Sequence, residues 1–308
     1  IISFAIIIIS TYGIHFFLMN TFRNADFGQY GKLNLLFEKS GDYDVVFFGS
    51  SRAAFHFNSV AIDSITGTSS CNMGIAATND VISLGAINSY LSSCKIKPKA
   101  LVVNFDFFLW DDPSIDSIRN ELRFFPYLHH EDLCYSLSEL DRFFLRYKYL
   151  KPLAFAKFND FYYYECYRVL TGKKIARDNE FKQKGFQKVP FEKAINFKNK
   201  NTAGNSIVSK RQLNAVERIF ATASNQGLKL VPVITPVHIS YTFSKTDSLL
   251  LNKLYDLCNQ YDIDCLNYLN KEICSNPYNF FDEIHLNSKG RKIFDKAFSA
   301  ALIPLINN

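Results

Sequence analysis

"DVVFFGSSRAAF", residues 44–55, runs four consecutive apolar residues into a glycine, two serines and an arginine. A short continuous apolar run bounded by a glycine has the pattern of a strand buried on both faces. The small polar residues after it suit the turn into a helix expected over 52–65. The same alternation continues outward from this stretch. Strands are expected at "SSCNMG" (69–74), "KALVVNFDFF" (99–108), "LKLVPVIT" (228–235) and "IDCLNY" (263–268). Helices are expected at 78–93, with Thr78 or Asn79 as cap, at 210–225, at 245–261 and at 287–305. Strands alternating with helices make βαβ units, so the fold class is α/β, a three-layer parallel sheet flanked by helices.

The 308 residues suffice for a sizeable core, and 48% apolar with 21% charged content describes a globular chain. Thirty Phe and 17 Tyr against one Trp is a heavy aromatic load, and much of it falls in 111–205. That stretch ("RFFLRYKYLKPLAFAKFNDFYYYECYRVL" and its surroundings) breaks the strand–helix rhythm. It reads as an insertion, mostly helical and then polar. It either caps the ends of the strands and shapes substrate access, or forms a helical layer that shields a sheet edge. The net charge of +6 is mild and acids interleave the basic residues, so nucleic acid is not an expected partner. Seven scattered cysteines contain no CxxC pair, so no metal site is expected. His15, His56, His129 and His130 also lack ligand spacing.

Residues 1–19, "IISFAIIIISTYGIHFFLM", contain no Asp, Glu, Lys or Arg. Their length approaches the roughly 20 residues that cross a hydrocarbon core as a helix. No small-x-small cleavage site follows, which argues against a removed signal peptide. The expected organisation is a membrane anchor at 1–20, a polar linker at 21–42 and an α/β domain at 43–308. The domain is expected outside the cytoplasm.

Two separated segments carry the chemistry. Ser50 and Ser51 stand where a strand ends and a helix begins, so a hydroxyl there is presented at the top of the sheet and a helix-start N–H lies close by. Near the other end, "FFDEIHLNSKGRKIF" (280–294) places Asp282 and His285 three apart, ahead of a helix capped by Asn287 or Ser288. That spacing lets a carboxylate hold one imidazole nitrogen while the other faces a serine. This orienter–base–nucleophile relation activates a hydroxyl whose free pKa is far too high. No G-x-S-x-G elbow is present.

With these two segments the sequence resembles the SGNH (GDSL-like) hydrolase superfamily. "FFGSSRA" is similar to its first block, which makes Ser51 the nucleophile and puts Ser50 where many members have aspartate. "CNMGIAATN" is similar to the second, so the Gly74 amide would serve the oxyanion together with that of Ser51. "FFDEIHLNSKGRKIF" is similar to the last block, with His285 as base and Asp282 as its orienter. The family's G-x-N-D block is replaced by "VVNFDFF", where Asn104 or Asp106 would occupy the place; Asn104 is chemically preferable, since an ionised Asp106 would repel an oxyanion. The resemblance covers about 43–108 and 228–305 and implies the flavodoxin-like SGNH fold. It implies no cofactor and no metal. The GSS variant with an N-terminal anchor is similar to envelope members that help move acyl groups onto cell-surface polymers.

The implied activity is that of a serine esterase or O-acyltransferase acting on acyl esters of a cell-envelope glycan, with a membrane-bound acyltransferase as a partner. The alternative is a catalytically impaired protein of the same fold that binds glycan or partner proteins during polysaccharide assembly. Arg52, Asp106 and His238 are candidate substrate contacts. For Arg52 a structural role in the helix start competes with that, and for His238 an ordinary loop position.

Overall fold

A computed structural model describes residues 2–107, 121–157, 160–174, 184–187 and 209–307. Residues 108–120, 158–159, 175–183 and 188–208, which include parts of the insertion expected over 111–205, lie outside the described residues. Five strands, β1 (Val45–Phe48), β2 (Ser70–Asn72), β3 (Ala100–Asn104), β4 (Lys229–Ile234) and β5 (Leu266–Asn267), form one parallel sheet in the order β2-β1-β3-β4-β5. Side chains alternate across each strand, which splits the interior into two cores. Val46, Phe48, Leu101, Val103, Leu230 and Ile234 face one side. Val45, Phe47, Ala100, Val102, Val231 and Val233 face the other. The first side is covered by α5 (Asp80–Ser93), α9 (Lys210–Asn225) and α10 (Lys245–Gln260), the second by α3 (Ser51–His56), α4 (Ser59–Thr66) and α11 (Ser288–Asn307). The chain is thus α/β, with helices on both faces of a five-stranded parallel sheet.

The order reverses between β1 and β3, since β2 lies outward of β1 and β4 outward of β3. In such sheets the crevice at the strands' carboxyl ends opens at this reversal. Ser51 leaves β1 there and Asp106 follows β3. The turn between β1 and α3 depends on Gly49, whose φ of +133° is closed to other residues and whose added Cβ would lie 2.7 Å from the Asn104 carbonyl oxygen.

Local chemistry moved several element boundaries. The helix expected over 52–65 is two helices, because Asn58 starts a second one by accepting from the Ala61 amide at 3.4 Å. β3 ends at Asn104 rather than 108, where the Asn104 side-chain oxygen takes the Thr235 amide at 3.1 Å. Asn79 caps α5 and Asn287 caps α11. The free edge of β2 is covered from the insertion, with the Asn72 amide donating to the Lys184 carbonyl at 2.9 Å.

The stretch expected as a linker, 21–42, is instead folded. α1 (Ile2–Asn24) continues through its start, and α2 (Gly28–Phe37) buries Tyr30, Leu33, Leu35, Leu36 and Phe37. Its polar residues are matched by tertiary partners. Asn34 donates to the Phe22 and Ala25 carbonyls at 2.8 and 2.7 Å, and Lys32 donates to the Asn72 carbonyl at 2.7 Å. α1 has a mean hydropathy of 2.0 over its best 18 residues, of which 11% are buried, and at 23 residues it is long and apolar enough to cross a membrane.

Within 111–205 the described residues are largely helical: α6 (Glu131–Leu140), α7 (Phe143–Tyr149), a 3-10 turn at Lys151–Lys157 and α8 (Asp160–Thr171). α6 lies along α5 with Leu133 and Leu137 fully buried, while the turn and α8 pack on α1. These helices form a layer beside the sheet; within 184–187 the Gln187 amide reaches the helix that carries Ser51, donating to the Ala54 carbonyl at 3.0 Å. All seven cysteines are unpaired, and five of them are buried.

Candidate active site

Ser51 is the first residue of α3, and its Oγ donates to His285 Nε2 at 2.8 Å. His285 Nδ1 lies 2.8 Å from Asp282 Oδ2 and 3.0 Å from Oδ1. A carboxylate against Nδ1 keeps the proton on that nitrogen, which leaves the Nε2 lone pair for the serine hydroxyl. Asp282 is held in turn by the amides of Ile284 and His285, both donating to Oδ1, at 2.9 and 2.8 Å. Burial alone would raise the Asp282 pKa; the hydrogen bonds and charge of His285, with the two amides, outweigh it and hold the carboxyl below its ordinary value. The loop is closed like a hairpin, with the Phe281 amide donating to the His285 carbonyl at 2.8 Å and the Asn287 amide to that of Asn279 at 3.0 Å. The side chains of His285 and Asp282 are 16% and 39% exposed, so the row of three groups runs along the rim and not through the core.

Beneath that row lies a second constellation that the sequence did not disclose. Asp106 accepts from Ser50 Oγ, from Arg52 Nη1 at 3.0 Å and from Asn104 Nδ2 at 3.0 Å. Arg52 also donates to the Thr235 carbonyl, and its guanidinium lies 5.0 Å from the centre of the Phe107 ring. Arg52 is 0% exposed. These contacts tie the start of α3 to the ends of β3 and β4. Arg52 and Asp106, expected as candidate substrate contacts, are therefore buried braces: each is sequestered with its partner below the rim.

The two residues expected to complete the oxyanion hole are also engaged. The Gly74 amide donates to Asn72 Oδ1 at 2.9 Å. Asn104 is buried, with Nδ2 on Asp106 and Oδ1 on the Thr235 amide. Gly74 nevertheless sits against α3, since a Cβ there would fall 2.7 Å from Ala53 Cβ and from the Ala54 nitrogen. The Ser51 amide, at the first position of α3, has no carbonyl four residues back within the helix to accept it and points from the same turn as the hydroxyl. His238 is buried in the loop after β4. Its Nδ1 meets the Ser240 hydroxyl at 2.7 Å and its amide donates to the Glu283 carbonyl at 2.8 Å. Its backbone thus fastens that loop to the loop carrying Asp282 and His285.

Two positioning residues escaped the sequence reading. His56, at the last position of α3, accepts the Leu286 amide on Nε2 at 3.0 Å. It joins the serine's helix to the residue after His285. Burial, then the charges of Arg52, His285 and Arg291, push its pKa well below the usual histidine value, so it is a neutral acceptor. Asn72 donates to the Ala53 and Phe57 carbonyls at 2.8 and 2.7 Å, closing the end of α3. No local pattern announces either one, because their partners lie 15 to 230 residues away.

Away from this rim, Glu38, His129 and His130 bring donor atoms within 4.8 Å of one another, the described cluster nearest to metal-ligating geometry. Arg23, 3.8 Å from Glu38, already supplies a cation there. No protein-family model matches the chain, and no curated protein does.

Proposed function

We propose that this chain is a membrane-anchored serine esterase or O-acyltransferase of the SGNH type, acting on acyl esters of a cell-envelope glycan. The observation that carries the reading is the unbroken row Ser51–His285–Asp282, with 2.8 Å at each link. Ser51 Oγ attacks the acyl carbonyl carbon while its proton passes to His285 Nε2. The carbonyl π pair moves to oxygen, which the Ser51 amide faces. On collapse the bond to the alcohol breaks and His285 returns the proton to it, leaving an acyl ester on Ser51. A second hydroxyl, from water or from a sugar, gives its proton to His285 and takes the acyl group, which frees the serine. Asp282 keeps the imidazole in the right tautomer and offsets the imidazolium charge. The strand order, the serine at the end of β1 and the D-x-x-H before the last helix all support the SGNH assignment, with Ser50 in the place many members give to aspartate. α1 supports an anchor; that the domain lies outside the cytoplasm, with a membrane-bound acyltransferase as its donor partner, belongs to the same proposal.

A second reading, a protein of the same fold that binds glycan or partner proteins without turnover, is favoured by one observation. The Gly74 amide and the Asn104 side chain are committed to Asn72, Asp106 and Thr235. An oxyanion hole short of one donor loses on the order of 10²–10³ in rate. Incubating the full chain in detergent with a fluorophosphonate probe and with p-nitrophenyl acetate decides between the two. Labelling at Ser51 with turnover that Ser51→Ala removes supports the enzyme. No labelling and no Ser51-dependent turnover sinks it.

A further inference from the structure

A cavity lies away from Ser51, where α1 meets the insertion. It measures about 500 Å³ and opens between the second half of α1 and the segment from Phe125 to Lys151. α1 is anchored here by Met19 and Phe22, while most of its first half is exposed apolar surface, such as Ile2 at 78% and Ile9 at 70%. The lining is divided by polarity. Phe16, Met19, Phe125 and Tyr147 form apolar walls, and Arg23, Lys148 and Lys151 bring three cations to the same space. The α1 residues that line it run from Tyr12 to Arg23, about 16 Å at 1.5 Å per residue, which matches the upper part of an acyl chain with its headgroup.

None of the three cations is consumed by a buried partner. Arg23 spends its Nε on the Pro126 carbonyl at 2.6 Å, and its nearest carboxylate, Glu38, is 3.8 Å away. Lys148 pairs with Glu131 at 2.9 Å, but Glu131 is 71% exposed, and such screened pairs exchange readily. Lys151 is exposed and has no carboxylate partner among the described residues. The neighbouring surface has the mixed character of a membrane interface: Tyr149, Leu150, Tyr163 and Tyr167 are all more than half exposed, beside Lys157 and Lys173.

We propose that this cavity holds a membrane phospholipid of net negative charge, its headgroup on Arg23, Lys148 and Lys151, with no cationic group of the lipid to offset them, and its acyl chain along Phe16 and Met19. The site stands apart from the chemistry at Ser51 and requires only that α1 lie in a bilayer. Bound there, a lipid joins α1 to α7 and fixes how the insertion layer sits on the membrane.

Native mass spectrometry of the full chain in detergent, titrated with phosphatidylglycerol or with zwitterionic phosphatidylcholine, tests this. Phosphatidylglycerol is expected to be retained in preference, with Lys151→Gln weakening it about fivefold and Arg23→Gln/Lys151→Gln weakening it further. Lys151 is exposed, so its single variant folds; Lys95→Gln/Lys97→Gln removes two exposed charges at the far end of β3 and is expected to change nothing. Equal retention of the two lipids overturns the proposal, as does wild-type binding by Lys151→Gln or an equal loss in the remote pair. Displacement of phosphatidylglycerol by inorganic phosphate at matched concentration also overturns it, since the site would then belong to a soluble anion.

Discussion

Two hydroxyls one residue apart, Ser50 and Ser51, belong to two different regions of the molecule. Ser51 Oγ turns up to the rim, where it meets His285; Ser50 Oγ turns down to Asp106, within the brace completed by Arg52, Asn104 and Thr235. The upper region is partly exposed and ordered by short loops, and its groups hold a proton that can move. The lower one is sealed, and its charges are paired with each other. A helix start advances about 100° per residue, so consecutive side chains there cannot share an environment. What makes one serine a nucleophile candidate is therefore the direction the turn gives it, and that direction is set by the brace beneath.

The widest separation of the two regions is expected from Ser51→Ala. It should lower p-nitrophenyl acetate turnover by on the order of 10⁶-fold, as loss of the serine does in triads of this geometry, while the unfolding free energy shifts by no more than about 0.5 kcal/mol. Asp282→Asn should cost on the order of 10⁴-fold, because the imidazole then loses its tautomer control but keeps its place. A variant that keeps the rate at either position would break the contrast. Arg52→Met is expected to act the other way round. It leaves Asp106 buried and uncompensated, a cost of about 3–5 kcal/mol in denaturant unfolding of the full chain. Arg52→Met/Asp106→Asn should recover part of that loss, since no isolated buried charge remains.

The upper region was legible in the sequence and the lower one was not, for a physical reason. A strand-end serine and a D-x-x-H before a capped helix are local patterns, and the chemistry requires them to converge. Arg52 instead finds Asp106 and Thr235 at separations of 54 and 183 residues, and the same sequence is compatible with an exposed arginine on substrate. For the oxyanion donors a related dependence holds. Gly74 and Asn104 have suitable groups, but whether an N–H is free depends on neighbours such as Asn72 Oδ1. The parallel sheet was read from its apolar runs. α2 was missed because Lys32 and Asn34 look like linker residues until their buried acceptors are known.

A smaller effect tests how the two regions are joined. His56→Ala orphans the buried Leu286 amide, at about 1–3 kcal/mol of stability. It also frees the residue next to His285, so kcat should fall with KM unchanged. His56→Gln can offer Oε1 to the same amide and should restore part of both. If the alanine variant loses stability but keeps kcat, the histidine holds the fold and not the base.

The finest test uses acid–base linkage, where the carboxylates of the two regions have opposite signs. Asp80, buried beside the brace and accepting from Gln212 at 2.9 Å, has its pKa raised to about 8, first by burial and then by the charge of Asp106. An ordinary aspartate titrates near 4. Between those values the folded chain holds a proton that the unfolded chain has released, so stability falls as pH rises through the window, by at most about 1.4 kcal/mol per pH unit for one proton. Glu121 and Asp295, both raised to about 7 by burial, add slope in the same direction. Asp80→Asn keeps an acceptor for Gln212 but has no proton to lose, so denaturant unfolding of the full chain should show a flatter profile across this range. Asp106→Asn should flatten it less, by removing the charge that helps to raise Asp80. Asp282 is the reverse case: its depressed pKa contributes stability that is complete above about 4 and is lost only as pH falls through the lower folded value. Asp282→Asn should accordingly leave the neutral slope untouched, and a change there equal to that of Asp80→Asn would show that rim and brace are one electrostatic unit.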